Sequence, residues 1–92
     1  MFLTLLTALL VTTNVKGFTG IQRDGSSVYS VAKHSPAAAA GIKVNDKILK
    51  IDGADKGELI GPAGVNVELD VQRGDELLHF SVPRVPHEEA YR

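Results

Sequence analysis

Apolar and polar residues alternate most regularly in the C-terminal third of the chain. Residues 65–72 read Val-Asn-Val-Glu-Leu-Asp-Val-Gln, with an apolar side chain at every second position. This period of two is typical of a β-strand that buries one face and exposes the other to water. After a turn at residues 73–76, the apolar face of a last strand is supplied by Leu78, Phe80 and Val82. The pattern predicts two strands here, and Pro83 ends the second.

Shorter apolar runs earlier in the chain predict further strands. Residues 17–22 enter one strand and residues 28–31 return as another, and Asp24-Gly25 between them is a strong hairpin signal. Several short strands with tight turns and little helix predict a mostly-β domain of the α+β class. We expect a small, partly open barrel or sandwich of about five or six strands, with one or two short helices.

One local structure accounts for almost every residue of the segment 34–53, HSPAAAAGIKVNDKILKIDG. Ser35 is a suitable N-cap, because its hydroxyl accepts a hydrogen bond from a free amide of the first helical turn. Pro36 suits the first helical position, and the four alanines after it have the highest helix propensity. Gly41 is expected to take the left-handed conformation that ends the helix. A helix this short is stable only when it packs on a sheet.

The rest of this segment predicts a turn, a strand and a second turn. Asn45 and Asp46 form the first turn, where Asn tolerates a positive φ and Asp46 accepts hydrogen bonds from backbone amides. Residues 48–51 form the apolar strand, which Asp52 and Gly53 close.

The order Ser-Pro-Ala-x-x-Ala-Gly-Ile, followed by x-x-Asn-Asp-x-Ile-Leu-x-Ile-Asp-Gly, resembles the central motif of PDZ domains. The likeness is greatest to PDZ domains attached to bacterial proteases of the HtrA-type, tail-specific C-terminal processing, site-2 and glycyl aminopeptidase families. The resemblance implies a PDZ-like domain at residues 18–85. An apolar N-terminal segment would then occupy residues 1–17, and a C-terminal tail residues 86–92.

The resemblance also implies a binding site. In PDZ domains, a loop ahead of the second strand presents backbone amides to the C-terminal carboxylate of a peptide, which adds to the sheet edge as an extra strand. The matching residues are expected to bind peptide: Phe18, Thr19, Gly20, Ile21, Gln22 and Arg23. The amides of residues 19–21 would bind the carboxylate, and residues 21–23 would form the pairing edge. Thr19 departs from the apolar residue usual at its position.

A second departure concerns the far wall of the peptide groove. PDZ domains normally form this wall from a helix of about three turns, but only residues 54–60 are available here, and Gly57 weakens any helix by roughly 1 kcal/mol. We expect a truncated second helix, of at most one turn, in this connection. The groove would then be open on one side, or the missing wall would come from residues 2–13 or from a partner domain.

Composition excludes several other functions. The formal net charge is −1, from 10 basic and 11 acidic residues without a basic stripe, so we expect no nucleic-acid partner. Cysteine is absent, and the three histidines lack metal-ligand spacing, so we expect no metal and no cofactor. The pair His34-Ser35 lacks the signature of a nucleophile elbow, and Ser35 is explained as a helix cap. The sequence therefore predicts a protein that is not an enzyme.

The N-terminal residues MFLTLLTALLV are apolar over the length of a signal-peptide core and too short to span a bilayer. They favour an exported, periplasmic or membrane-associated protein, although no Lys or Arg precedes the apolar run. The alternatives are a helix or strand packed on the domain, or the end of an upstream domain.

Two functions remain open. The first is a peptide-binding module of a protease system, with C-terminal or extended peptide segments, or a parent protease domain, as partners. The second is a structural or oligomerisation domain whose groove is occupied or incomplete. A free sheet edge beside Gly20 would favour the first, and an edge occupied by residues 2–13 the second.

Overall fold

A computed structural model describes residues 15–92, which form seven strands and two short helices. In chain order the elements are β1 (Lys16–Gly17), β2 (Ile21–Asp24), β3 (Ser27–Val31), α1 (Pro36–Ala40), β4 (Lys47–Ile51), β5 (Gly61–Pro62), β6 (Val67–Arg73), β7 (Glu76–Val82) and α2 (His87–Ala90).

The strands form two antiparallel sheets. Five strands make the main sheet in the order β2-β3-β4-β6-β7, and the two-residue strands β1 and β5 pair with each other. Within residues 15–92 the main sheet does not close into a barrel, and β2 and β7 are its edges. This architecture confirms the predicted mostly-β fold class.

The core lies on one face of β6 and β7 and extends under α1. Val67, Leu69 and Val71 are fully buried, and the residues between them on β6 are partly exposed, as the alternating pattern predicts. The strand begins at Val67, two residues later than the alternation suggested, because the turn at Gly64 still includes Val65. Val65 is 51% exposed, so a correct period of two does not by itself locate the end of a strand.

Helix α1 has the predicted start and stop. The Ser35 hydroxyl accepts a hydrogen bond from the Ala38 N–H at 3.2 Å, and Pro36 is the first helical residue. Gly41 has a φ of +105° and donates its N–H to the carbonyls of Ala37 and Ala38. Ala37 is fully buried, so the helix packs on the sheet through its smallest side chain.

The two turns around β4 depend on positive backbone angles. Asn45 has a φ of +80°, Asp52 of +53° and Gly53 of +81°. The Asp52 carboxylate also accepts the Glu68 N–H at 2.9 Å, which joins the turn after β4 to β6. On β4 itself, Leu49 is 37% exposed next to the buried Ile48, and the shift of register with β6 between Ile48 and Lys50 lets both Ile48 and Ile51 face the core.

The truncation of the second helix that the sequence predicts at residues 54–60 is complete. This connection contains no helix, and the second short helix of the described chain is α2, in the C-terminal tail. The connection is too short for a stable helix, and Gly57 lies against Ile51, where an added Cβ would come within 3.2 Å of the Ile51 side chain. Leu59 is buried at the end of this segment and anchors it to the core.

Both ends of the described chain pack on the domain. Lys16 pairs with Pro62 and Gly17 with Gly61, and Ala90 of α2 is fully buried. The apolar N-terminal run lies outside the described residues, and of the N-terminal segment 1–17 only residues 15–17 are described. Among residues 15–92, no helix is long and apolar enough to cross a membrane.

Candidate peptide-binding groove

Strand β2 carries one free edge of the described sheet. It pairs with β3 on one side, and within residues 15–92 no strand pairs with its other side. Alternate residues of an edge strand direct their N–H and C=O groups outward, where a further strand can bind them. The predicted pairing edge, residues 21–23, lies in this strand.

The loop before β2 is held from the domain side. The Phe18 N–H donates to the Val85 carbonyl at 2.7 Å, and the Thr19 carbonyl accepts the Ala37 N–H at 3.0 Å. The Gly20 carbonyl accepts the Ala32 N–H at 2.9 Å. These contacts turn the carbonyls of Thr19 and Gly20 toward the protein. Within residues 15–92 the N–H groups of Thr19 and Gly20 form no hydrogen bond, although both residues are buried.

Thr19 is buried, with 2% of its surface exposed, and its hydroxyl is used locally. Its Oγ1 accepts the Ile21 N–H at 3.3 Å. Of the three amides that the sequence assigned to a carboxylate, the one at Ile21 is therefore partly engaged by the side chain of Thr19. An apolar residue at this position would leave that amide without this acceptor.

Position 20 requires a glycine for two reasons. Its φ is +93°, and its backbone lies very close to Ser35. A Cβ added to it would lie 2.1 Å from the Cβ of Ser35, the N-cap of α1. The backbone of Gly20 therefore packs directly against Ser35.

A cavity of about 450 Å³ opens beside this loop and the start of β2. Phe18, Thr19, Ile21 and Gln22 line its near side. Its other lining residues come from two distant segments of the chain: Leu59, Ile60, His87 and Tyr91. The groove therefore has a far wall in spite of the missing helix. Residues 2–13, one predicted source of this wall, lie outside the described residues.

Buried arginine contacts hold the connection 54–60 in place. Arg84 is 6% exposed, and its Nε donates to the Leu59 carbonyl at 2.9 Å. Its Nη2 donates to the Glu58 carbonyl at 3.2 Å. Gly61 packs directly on the guanidinium, since an added Cβ would lie 2.7 Å from its Cζ. Sequence reasoning missed Arg84, because nothing in its local pattern distinguishes it from a surface arginine.

A second arginine joins β2 to the same connection. The Arg23 Nη2 donates to the Gly57 carbonyl at 2.9 Å, and neither residue lines the cavity beside the loop. A separate cavity of about 420 Å³ has both Arg23 and Gly57 in its lining. That cavity does not include the loop amides of residues 19–21.

Three aromatic rings meet at the other end of the groove. The Phe18 and His87 ring centroids are 5.0 Å apart in an edge-to-face arrangement, and those of His87 and Tyr91 are 4.9 Å apart. Phe18 and Tyr91 are 6.3 Å apart. Burial raises the pKa of the Tyr91 hydroxyl, with a smaller contribution from Tyr29.

The remaining motif residue with notable chemistry lies away from the groove. Asp46 is 1% exposed, and its two carboxylate oxygens accept Arg73 Nε and Nη2, each at 2.8 Å. It also accepts the Lys43 N–H at 2.9 Å. The hydrogen bonds from Arg73 are the main reason that the pKa of Asp46 is lowered, against the opposing effect of burial. This pair stabilises the turn before β4 and has no part in the groove.

On the solvent face of β6 and β7, His79 lies between two carboxylates. Its Nδ1 is 2.8 Å from Asp70 Oδ1, and its Nε2 is 2.8 Å from Glu68 Oε1. The pKa of His79 is raised, first by the hydrogen bond with Asp70 and then by that with Glu68. No set of His, Asp and Glu side chains in the described part of the chain is arranged to hold a metal ion.

Comparisons with known proteins agree with this geometry. A family model described as a PDZ domain matches residues 27–73. Among solved structures, the fold is similar to that of a serine endoprotease from Yersinia pestis, with a TM-score of 0.68 and 22% sequence identity. The similarity covers 86% of this chain and 35% of that chain, so this chain spans about a third of the endoprotease's length. A comparison with curated protein sequences finds no match.

Proposed function

Because this chain belongs to the PDZ domain family, whose model matches residues 27–73, we propose that it is a non-catalytic module that binds peptide segments of other proteins. The ligand is a C-terminus or an extended segment that adds to β2 as a further strand. The observation that carries the proposal is that the N–H groups of Thr19 and Gly20 have no acceptor among residues 15–92 and lie beside an edge strand.

A carboxylate is the ligand that best suits these amides. A backbone N–H without an acceptor costs free energy when water cannot reach it, and adjacent free amides attract an anion. The C-terminal carboxylate of an extended peptide would satisfy both groups at once, while its backbone pairs with the outward groups of β2. The apolar lining from Phe18 and Ile21 would accept the last side chain.

We also propose that the module serves a protease system. The support is the fold similarity to a serine endoprotease, of which this chain spans about a third, and the sequence motif that resembles protease-attached PDZ domains. The role would be substrate recognition or regulation of a neighbouring protease domain.

The test is a calorimetric titration with pairs of short peptides that differ only in a free or an amidated C-terminus. Binding of the free acids, weakened at least tenfold by amidation, supports the proposal. The Thr19→Val variant sharpens the test, because it removes the hydroxyl that engages the Ile21 N–H. Freeing this amide should tighten carboxylate binding by roughly fivefold, the value of one hydrogen bond. Equal binding of acid and amide peptides would overturn carboxylate recognition.

A structural role is the competing function, and the short connection 54–60 favours it. Only Leu59 and Ile60 of this segment line the groove, which leaves a smaller binding surface than a three-turn helix would supply. If no peptide binds at millimolar concentration, the structural role becomes the better account.

A further inference from the structure

Strand β7 (Glu76–Val82) is the second free edge of the described sheet, on the side opposite to β2. It pairs with β6, and among residues 15–92 no strand pairs with its other side. We propose that this edge is a second binding site, which takes an extended basic segment of another protein as an added antiparallel strand. The inference goes beyond the proposed function, because this site uses neither the loop before β2 nor a C-terminal carboxylate.

The register of the β6–β7 hairpin shows which backbone groups of β7 face outward. Arg73 pairs with Glu76 across the two-residue turn Gly74-Asp75, where Gly74 has a φ of +63°. The pair that closes such a turn is hydrogen-bonded, and hydrogen-bonded and non-hydrogen-bonded pairs alternate along the strands. The outward N–H and C=O groups of β7 therefore belong to three residues: Leu77, His79 and Ser81.

Side-chain contacts agree with this assignment. In a non-hydrogen-bonded pair the two side chains are closer together than in a hydrogen-bonded pair. His79 Nδ1 is 2.8 Å from Asp70 Oδ1, and the Ser81 hydroxyl donates to Glu68 Oε2 at 2.7 Å. Both contacts join residues that are directly opposite each other on β6 and β7. Three residues of β7 are therefore available to pair with an added strand.

Strand β7 lacks the features that usually prevent strand addition at a sheet edge. Natural edge strands are protected by short length, bulges, prolines or lysines. β7 has seven residues without Pro or Lys, and its pairing with β6 has no register shift. The β2 edge, in contrast, has four residues and a register shift between Gln22 and Arg23. β7 is thus the longer and more regular of the two free edges.

The solvent face beside this edge has an apolar cavity of about 320 Å³. Leu49 of β4 and Leu77 of β7 line it, and their exposed fractions are 37% and 73%. Cross-strand neighbours on one face of a sheet lie about 5 Å apart, which is close enough for their side chains to pack. An aliphatic side chain opposite Leu77 on the added strand would therefore cover apolar surface that otherwise faces water.

Charge on the β6–β7 hairpin determines which kind of segment fits. Residues 67–82 contain four acidic residues and one arginine, a formal charge of −3, whereas the whole chain has −1. The arginine is neutralised in the ion pair at the turn before β4. Glu68 and Asp70 have only His79 between them, so a protonated His79 neutralises one of these two charges at most. Lys50, which also lines the cavity, is 3.8 Å from an aspartate of the connection 54–60. The face beside the edge is therefore acidic.

An acidic face favours a basic segment over a second copy of this chain. Two copies paired through β7 would bring two hairpins of the same charge together, and like charges repel. Lys or Arg at alternate positions of the added strand, opposite His79 and Ser81, would instead extend toward Asp70 and Glu68 on the same face. With an aliphatic residue opposite Leu77, the fitting segment has the order basic-x-basic-x-aliphatic.

The test is a ¹H–¹⁵N NMR titration of the full chain with seven-residue peptides that are acetylated and amidated. β7 is about 24 Å long at roughly 3.4 Å per residue, which matches this length. The probe has lysine at its second and fourth positions, leucine at its sixth and threonine elsewhere. It has no terminal carboxylate, so it lacks the group that the loop before β2 is proposed to bind. We expect its largest shifts at the amides of Leu77, His79 and Ser81.

Two altered peptides test the charge and the strand pairing. Glutamate at both lysine positions should weaken binding by about tenfold or more, because attraction to the acidic face becomes repulsion. N-methyl groups on the second, fourth and sixth residues should have an effect of about the same size, because they remove the N–H groups that pair with β7 and retain the charges. Raising the salt concentration from about 50 to about 500 mM should weaken binding of the lysine peptide about fivefold.

Variants of the protein locate the site. Asp70→Asn and Leu77→Ala should each weaken binding of the lysine peptide about threefold, through the loss of one exposed ion pair or of one partly covered side chain. Neither side chain is buried, so both variants should keep the fold. Glu88→Gln is the matched control for charge. Glu88 is exposed on α2, whose His87 lines the groove beside β2, and its change should leave the dissociation constant unaltered.

Four results would overturn the inference. The first is an absence of shifts on β7 at millimolar peptide, and the second is a set of largest shifts at residues 19–23, which would place the peptide in the β2 groove. The third is equal binding of the lysine and glutamate peptides. The fourth is a shift of the Leu77, His79 and Ser81 amides when the protein concentration is raised without peptide, which would show that a second copy occupies the edge. Because these peptides have no carboxylate, the proposed binding of free C-termini at β2 is tested separately.

Discussion

At the scale of single residues, the approach of Gly20 to Ser35 ties the loop before β2 to helix α1. The Cβ that any other residue would add at Gly20 has no space, because it would lie 2.1 Å from the Cβ of Ser35. Gly20 therefore belongs to the folding of the domain as much as to its site. A substitution at Gly20 is a poor test of binding, since a loss of affinity would be inseparable from a loss of structure.

We expect Gly20→Ala to lower the free energy of unfolding by about 3 kcal/mol, from a positive φ and a steric clash together. Gly25→Ala is the matched control, because Gly25 also has a positive φ but no atom within 4 Å of an added Cβ. This control should cost only about 1 kcal/mol. Urea denaturation measures the free energy of unfolding of both variants. If the two variants lose the same amount of stability, the contact with Ser35 is unimportant.

The Asp46–Arg73 pair gives a second prediction at this scale. Asp46→Asn should destabilise the protein by about 2 kcal/mol, since it removes the charge that two hydrogen bonds from Arg73 stabilise. Asp55→Asn is the control: Asp55 is 3.8 Å from Lys50 in an exposed pair, and its change should stay within about 0.5 kcal/mol.

The contribution of Asp46 to the free energy of unfolding should decrease as the pH falls. Its pKa is lowered in the folded state, so its contribution is complete above the unfolded-state value of about 3.9 and is lost as the pH falls through the lower folded-state value. Urea denaturation at pH 6 and below pH 3 should therefore show a large difference between the natural protein and Asp46→Asn that shrinks in acid. A difference that stays constant with pH would contradict this assignment.

At the scale of elements, the sequence predicts best those elements whose contacts join residues close together in the chain. Helix α1 could be predicted almost to the residue, because its cap at Ser35 and its stop at Gly41 depend on neighbours in sequence. The far wall of the groove could not be predicted in this way. It combines Leu59 and Ile60 with His87 and Tyr91, which are nearly thirty residues away in the chain. The tail also lacks the apolar period that reveals the strands, so neither its helix nor its role in the groove was visible in the sequence. Peptide binding by residues 18–23 stays a prediction.

The contacts of the connection 54–60 with Arg84 give a prediction at this scale. Arg84→Gln should lower the free energy of unfolding by about 2 kcal/mol, because the buried carbonyl oxygen of Leu59 and the partly buried one of Glu58 lose a charged donor. Arg23→Gln removes a single, partly exposed hydrogen bond to Gly57 and should cost less than about 1 kcal/mol. Thermal denaturation ranks the two variants, and a larger loss for Arg23→Gln would contradict the role assigned to Arg84.

The contacts of His79 on the exposed face of β6 and β7 predict a raised pKa for its ring. Its pKa in the folded protein should lie above 6.5, because Asp70 and Glu68 both stabilise the charged ring. The stability that this interaction contributes is complete below the unfolded-state value and is lost as the pH rises through the folded-state value.

An NMR titration of the imidazole C–H resonances measures the His79 pKa directly. Asp70→Asn should lower it more than Glu68→Gln does, since the hydrogen bond with Asp70 is the larger cause. A value at or below 6.5 in the natural protein would contradict the contacts described.

At the scale of the whole molecule, the described sheet is open and its two edges differ. The β2 edge combines the loop amides, a cavity and a wall anchored through Phe18, whereas β7 ends the sheet at the exposed Leu77. The elements around the β2 edge come from both ends of the described chain, at residues 16–18 and 85–91. The groove is therefore a product of the complete fold, and a fragment lacking either end would lose it.

The most direct measurement is a two-dimensional ¹H–¹⁵N NMR titration of the full chain with a Leu-terminated hexapeptide and its amidated counterpart. The account predicts that the free acid shifts the amide resonances of Thr19, Gly20 and Ile21 most, with further shifts at Tyr91. It also predicts that amidation removes these shifts. Shifts of equal size with both peptides, or none at millimolar concentration, would contradict carboxylate recognition at this loop.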